Sequence, residues 1–226
     1  MQRLAQAELM DDEGAGSPNE WSENFRDLAM INKWLGGVRA TVIEVNRLAV
    51  SPRTILDIGT GSADMPVAIV DHLRARGISS TCVALDRSAR ALTAAAERVR
   101  GRTDIELVHA DAGALPFPDR SFDLVTCNLA LHHFDPPEAV RALAEMARVG
   151  RDVIVNDLRR SVAGWLLARA AFPLFTRNRF TLHDGPLSVR RAYSPSEARA
   201  LAFEARWTRI SARTHFAARM TLSGGR

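Results

Sequence analysis

Apolar positions along the chain keep two periods. From Trp21 onward, Phe25, Leu28, Ile31, Trp34 and Leu35 recur at three- and four-residue spacing. This predicts a helix that Gly36-Gly37 ends, followed by a second helix over Val38 to Leu48. The texture then changes to short, nearly continuous apolar runs separated by amphipathic stretches. Thr54–Ile58, Thr81–Leu85, Ile105–Val108, Phe122–Cys127 and Asp152–Asn156 read as buried strands. Met65–Arg76, Ser88–Arg100 and Glu138–Val149 read as helices, the last opened by Asp135-Pro136-Pro137. Strands in alternation with helices of this length point to βαβ units and a parallel sheet covered on both faces.

After the fifth strand the alternation pauses. Residues 158–192 hold an apolar helix around Trp165, Phe172 and Phe175 and then a polar loop, His183-Asp184-Gly185-Pro186. Ser194-Pro195-Ser196-Glu197 reads as a capping box that starts another helix, and Trp207 to Leu222 has the texture of two closing strands. Residues 1–18 are polar and acidic and are expected to form a frayed tail or short mobile helix. The organisation that follows is a tail (1–18) and one domain (19–226), with N-terminal helices over 19–50 and a cap insertion over 158–192.

Composition narrows the class. With 226 residues, 46% hydrophobic and 25% charged, the chain has ordinary globular values. Val162 to Phe175 is the longest apolar stretch; it carries Arg169 and is too short to span a bilayer. Cys82 and Cys127 lack ligand spacing and are expected as small buried residues on strands. The start of the chain lacks a basic, apolar leader pattern, so a cytoplasmic location is expected. Charge is uneven: residues 151–226 hold 14 basic and 5 acidic side chains. A basic third of this kind raises nucleic acid as a partner, but 29 of the 30 basic residues are arginines, most of them scattered singly, which disfavours that reading.

The chemistry concentrates at Ile55-Leu56-Asp57-Ile58-Gly59-Thr60-Gly61-Ser62-Ala63-Asp64, where a strand meets a Gly-rich turn and a helix begins. Such a turn sits at the ligand-binding end of an open α/β sheet, and Gly59 and Gly61 allow close approach of backbone to ligand. A dinucleotide fingerprint needs a small residue three positions after the second glycine. Asp64 stands there, and its carboxylate would repel a pyrophosphate. No Gly-Lys-Ser/Thr follows a Gly-rich loop, so a P-loop is absent.

An acidic residue followed by alternating glycines resembles the first motif of the class I S-adenosylmethionine-dependent methyltransferases. Asp57, Gly59 and Gly61 match it, with Ala63 where a third glycine is expected. Asp86 matches the position whose carboxylate takes both ribose hydroxyls, and Arg87 beside it is expected to lie along the adenine. Asp111-Ala112 match the pair that meets the adenine amino group. Leu115-Pro116-Phe117, Asp119 and Ser121-Phe122-Asp123 resemble the family's approach to the fourth strand, and Asn128-Leu129 through His132-His133-Phe134 its end. The resemblance covers residues 53–157 and is nearest to the quinone-biosynthesis-like, small-molecule branch. It implies a Rossmann-like three-layer α/β sandwich with a seven-stranded, mostly parallel sheet and one antiparallel strand. It also implies S-adenosyl-L-methionine as cofactor, S-adenosyl-L-homocysteine as product and a small-molecule acceptor.

Transfer to a phenolic oxygen gains from a general base, for which histidine suits neutral pH. His133 is the leading base and His132 the second, both also open to a purely structural reading. Trp165, Arg160, His183 and Tyr193 are the expected acceptor contacts. No metal is expected: His132 and His133 are adjacent, and Asn156-Asp157 resembles a magnesium-binding pair only in reversed order. The expected reaction is methyl transfer to an oxygen, in second place a carbon, of an aromatic, phenolic, quinol or polyketide-like acceptor. A nucleic-acid methyltransferase and a non-catalytic S-adenosylmethionine-binding module stay open as alternatives, as do a monomer and a homodimer.

Overall fold

The computed structural model describes all 226 residues. Five parallel strands, β1 (Thr54–Ile58), β2 (Thr81–Asp86), β3 (Ile105–His109), β4 (Phe122–Asn128) and β5 (Gly150–Leu158), form the body of one sheet. Two closing strands, β6 (Arg209–His215) and β7 (Arg219–Gly225), complete it in the order β3-β2-β1-β4-β5-β7-β6. β7 alone runs opposite to the other six strands. The seven-stranded arrangement, with its single reversed strand, is therefore as the family resemblance implied.

Side-chain alternation builds two cores from one set of strands, because successive residues face opposite sides of a sheet. On β1, Ile55 joins a cluster with Ile69 and Leu73 of α3 (Asp64–Ala75) and Ala95 of α4 (Ala89–Arg98), while Leu56 and Ile58 face the other side. There they meet Leu143 and Met146 of α5 (Pro136–Val149) and Leu201 of α8 (Pro195–Glu204). Cys82 and Cys127 are free and buried. Strand order reverses between β1 and β4, which opens a crevice at their carboxyl ends.

The N-terminal helices are α1 (Pro18–Trp34) and α2 (Gly37–Val45), and Ser17 with Glu20 closes a capping box at the start of α1. Ser194 and Glu197 do the same for α8, as the sequence predicts. The cap region comprises α6 (Val162–Phe175) and α7 (Arg179–Arg191). Here His183 to Pro186, read from the sequence as a polar loop, lie inside α7. Tertiary contact outweighs the Gly-Pro signal: Gly185 offers the bare backbone against which the Phe172 ring packs, since a Cβ there would meet that ring at 2.0 Å. Asn178 caps the helix by accepting from the N–H groups of Phe180 and Thr181.

Residues 1–16 are docked rather than frayed. The N–H groups of Leu9 and Met10, in a short 3-10 turn, donate to the two carboxylate oxygens of Asp184 at 2.8 and 3.1 Å. Arg3 reaches the Phe134 carbonyl at 2.8 Å and lies over the Tyr193 ring. The charge asymmetry along the chain is absorbed by such long-range pairs: Arg191 with Asp11, Arg179 with Glu20 and Arg213 with Glu44 join the basic C-terminal third to the acidic N-terminal part. No helix is long and apolar enough to cross a membrane.

Candidate active site

The turn after β1 has the backbone its residue types require. Gly59 and Gly61 sit at φ 66° and 56°, the left-handed region that glycine enters without penalty. A Cβ on Gly59 would meet the Cβ of Ala130 at 2.6 Å, whereas one on Gly61 would point into open cleft. Ala63, in the third-glycine position, also takes φ 58° and is fully buried. It bears the cost of that conformation, about 1–2 kcal/mol, to start α3 at this angle. Leu129, at φ 51° just past β4, is the second strained position beside the crevice, and its N–H donates to the Asn156 carbonyl.

Carboxylates line the crevice. Asp57, at the end of β1, is buried and accepts through Oδ1 from Thr126 Oγ1 at 2.6 Å and Asn128 Nδ2 at 3.0 Å. Burial pushes its carboxyl up to about 6, against the pull of those donors. Thr41 fixes the Asn128 amide by donating to its Oδ1, and itself accepts from Asn156. Asp86, ending β2, accepts from the Gly61 N–H at 2.8 Å through one oxygen and from the Ser88 N–H at 2.9 Å through the other. Each oxygen keeps a further lone pair, so the carboxylate is both anchored and available. Burial raises the Asp86 and Asp64 carboxyls as well.

The structure brings together Asp57, Gly59, Gly61, Asp86, Arg87, Asp111, Ala112, Asn128, Leu129 and His133 around one cavity. Further wall comes from Met10 and Asp11 of the N-terminal segment, which the sequence does not mark, from Trp21, Phe25 and Leu28 of α1, whose Phe25 the sequence offers as part of a roof, and from Asn32 beside Asp64. The four expected acceptor contacts lie elsewhere. Arg160 is paired with Glu197, Tyr193 donates to the Phe134 carbonyl, and His183 is paired with Asp184. Trp165 sits on α6 under Arg169. The aromatic roof is supplied instead by α1, with Phe180 packed behind Trp21.

His132 and His133 stand on a 3-10 turn (Leu131–His133), their rings 4.4 Å apart. His132 is buried, with Nδ1 2.6 Å from Asp157 Oδ1; His133 is half-buried on the cavity wall, with Nδ1 2.7 Å from Asp11 Oδ1. Each Nε2 then faces the buried Glu8 carboxylate at 3.7 Å. Burial pushes the Glu8 carboxyl up to about 7, against the charges of His133 and Arg191. Burial also acts to raise Asp11 and Asp157, but their histidine partners win, and both are held below the usual carboxylate range. Glu8 and Asp11 are not legible as site residues, because they meet the histidines only through the docked N-terminal segment, while Arg191 reaches them from α7 by donating to the His132 and His133 carbonyls.

Residues 55–152 match the family model described as a methyltransferase domain. Over that span the chain is similar to class I S-adenosylmethionine-dependent methyltransferase domains. A similar curated relative is the demethylmenaquinone methyltransferase of Bacillus licheniformis, 38% identical over 96 residues, which are 42% of this chain and 39% of that protein. The Listeria welshimeri protein of the same name is 31% identical over 117 residues, 49% of this chain and 48% of its own. The chain thus matches less than half the length of these relatives. Among solved structures, a methyltransferase from Aquifex aeolicus shares the fold of the domain with a TM-score of 0.68 at 16% identity, covering 93% of this chain and 98% of that one.

Proposed function

We propose that the protein transfers the methyl group of S-adenosylmethionine to an oxygen of a small phenolic or quinol-like acceptor and releases S-adenosylhomocysteine. The observation that carries this reading is the charge of the cavity. Asp11, Asp57, Asp64, Asp86 and Asp111 line it against one guanidinium, Arg87. A pyrophosphate-bearing dinucleotide would be repelled, whereas a ligand with a sulfonium and an ammonium is attracted. The residues fit that ligand in detail. Asp86, held by two backbone donors, has the free lone pairs a cis-diol needs. Gly61 leaves open the space a side chain would fill.

When bound, the cofactor supplies an electrophilic methyl on a positively charged sulfur. The acceptor oxygen forms a bond to that carbon, the carbon–sulfur bond breaks with its electron pair moving to sulfur, and the hydroxyl proton leaves. In this reading Asp57, Gly59, Gly61 and Asp86 hold the methionyl and ribose parts, and Arg87, Asp111 and Ala112 frame the adenine. Asn128 and Leu129 stand at the reactive end. The chain's work is to position the acceptor and exclude water beneath Trp21, Phe25 and Leu28. Proton removal falls to the imidazole–carboxylate cluster, with His133 the member on the cavity wall and His132 behind it. The relatives' name, demethylmenaquinone methyltransferase, supports an aromatic quinol-like acceptor, with a ring carbon as the second candidate nucleophile.

The test is methyl-labelled S-adenosylmethionine incubated with a panel of phenols, quinols and nucleic acids. Label carried into a phenol or quinol as an ether is the expected result. Label recovered in RNA or DNA, or none in any acceptor despite tight cofactor binding, would refute the proposal in favour of a nucleic-acid methyltransferase or a binding module.

A further inference from the structure

We propose that Glu8, His132 and His133 form a binding site for one divalent transition-metal ion on the wall of the acceptor cavity. One donor atom from each of the three residues lies within 4.8 Å of the other two. His132 Nε2 is 3.7 Å from Glu8 Oε1 and His133 Nε2 is 3.7 Å from Glu8 Oε2. That is too long for a hydrogen bond. It is close to the separation of two ligands each about 2.1 Å from a shared ion, roughly 3.4–3.7 Å for angles between tetrahedral and trigonal.

The outer groups are arranged as such a site needs. Asp157 and Asp11 occupy the two Nδ1 atoms at 2.6 and 2.7 Å. A carboxylate only accepts, so it directs the ring proton to Nδ1 and leaves the Nε2 lone pairs facing Glu8. Carboxylates behind metal-binding imidazoles do this in general. Glu8 Oε2 is the independent sign that something is missing. It is buried and has no hydrogen-bond partner, while Oε1 is served by Ser188 Oγ at 2.9 Å. Three carboxylates meet here with Arg191 as the guanidinium paired to Glu8 and Asp11, so a dication would be welcomed by the local charge. Two imidazoles with one carboxylate favour zinc, cobalt, manganese or ferrous iron over magnesium or calcium.

The site deepens the proposed reaction, and only its role rests on that reading. Three protein ligands leave a position open, and His133 and Asp11 border the cavity. An ion there would bind the acceptor's hydroxyl oxygen and acidify it, the proton leaving to solvent, so that with metal bound His133 would be a ligand in place of the base role it has without metal. The adjacency of the two histidines, which argued against a metal from sequence, is overcome by the 3-10 turn and by Glu8, supplied from 124 residues away in the chain.

The test uses the untagged 226-residue chain stripped with a chelator and titrated with Co²⁺, followed by Zn²⁺ competition. One equivalent of Co²⁺ with visible d–d absorption, displaced by Zn²⁺, is expected. Glu8→Gln and His133→Gln should each weaken binding by 100-fold or more, with folding checked by circular dichroism. Asp86→Ala should bind metal normally while losing cofactor, so the metal site and the methyl-transfer reading fail separately. Absence of binding at 1 mM ion, or affinities in both glutamine variants within threefold of the parent, overturns the site and leaves the cluster as a proton-sharing network.

Discussion

Replacing Asp86 with alanine separates two jobs of one carboxylate. In the free protein it accepts from the Gly61 and Ser88 N–H groups. With cofactor it would also take the ribose hydroxyls. Hydrogen bonds to a charged acceptor are worth about 1.5–3 kcal/mol, so the loss of cofactor affinity should be roughly 10- to 150-fold. S-Adenosylmethionine and S-adenosylhomocysteine share the ribose, so both should weaken by the same factor. Two part-buried donors left without acceptors cost about 1–3 kcal/mol of stability, some 2–10 °C in melting temperature for a chain of this size. Isothermal titration calorimetry with both ligands, alongside thermal unfolding, reads the two effects. Unchanged affinity for both ligands would refute the assigned ribose contact. A loss confined to the sulfonium form would show that the carboxylate acts through charge and not through the diol.

Two further outcomes follow from the same geometry. Asp57 has a folded-state value of about 6, above its unfolded one, so the native state binds more protons between about pH 4 and 6 and loses stability as pH rises through that window. Its charge appears over the same range. S-Adenosylmethionine affinity should therefore fall as pH drops below about 6, and Asp57→Asn should flatten the calorimetric pH profile; an unaltered profile would count against the assignment. Asp184→Ala removes the acceptor for the Leu9 and Met10 N–H groups, a loss of about 2–3 kcal/mol in the docking of the N-terminal segment. Hydrogen exchange at residues 9–11 should accelerate while β1 and β4 stay protected; equal protection in the variant would mean that other contacts hold the segment.

What was legible in the sequence follows the range of the forces involved. The strands and the turn at Gly59 and Gly61 were readable because apolar runs and positive-φ positions are local signals. Ser194 with Glu197 announced its helix for the same reason. The N-terminal segment was misread because its stability comes from Asp184 and Arg191, far along the chain, and no local pattern encodes that pairing. The stretch His183 to Pro186 was misread because Gly-Pro is a turn signal that the Phe172 ring overrules. Arg160 and Tyr193 looked like acceptor contacts because their residue types suit that role, yet local partners already satisfy both.

The docked N-terminal segment also bears on the order in which the molecule is assembled. Residues 8–11 leave the ribosome well before their partners on α7, which are synthesised some 175 residues later. Closing so long a loop is entropically costly, so this contact forms after the sheet. During synthesis there is an interval in which β1 and β2 already present Asp57 and Asp86, and β4 Asn128, and the wall carrying Met10 and Asp11 is not yet in place. A nascent chain caught in that interval would have an adenosyl cradle open to bulk water on one side, able to take its ligand before the acceptor chamber exists.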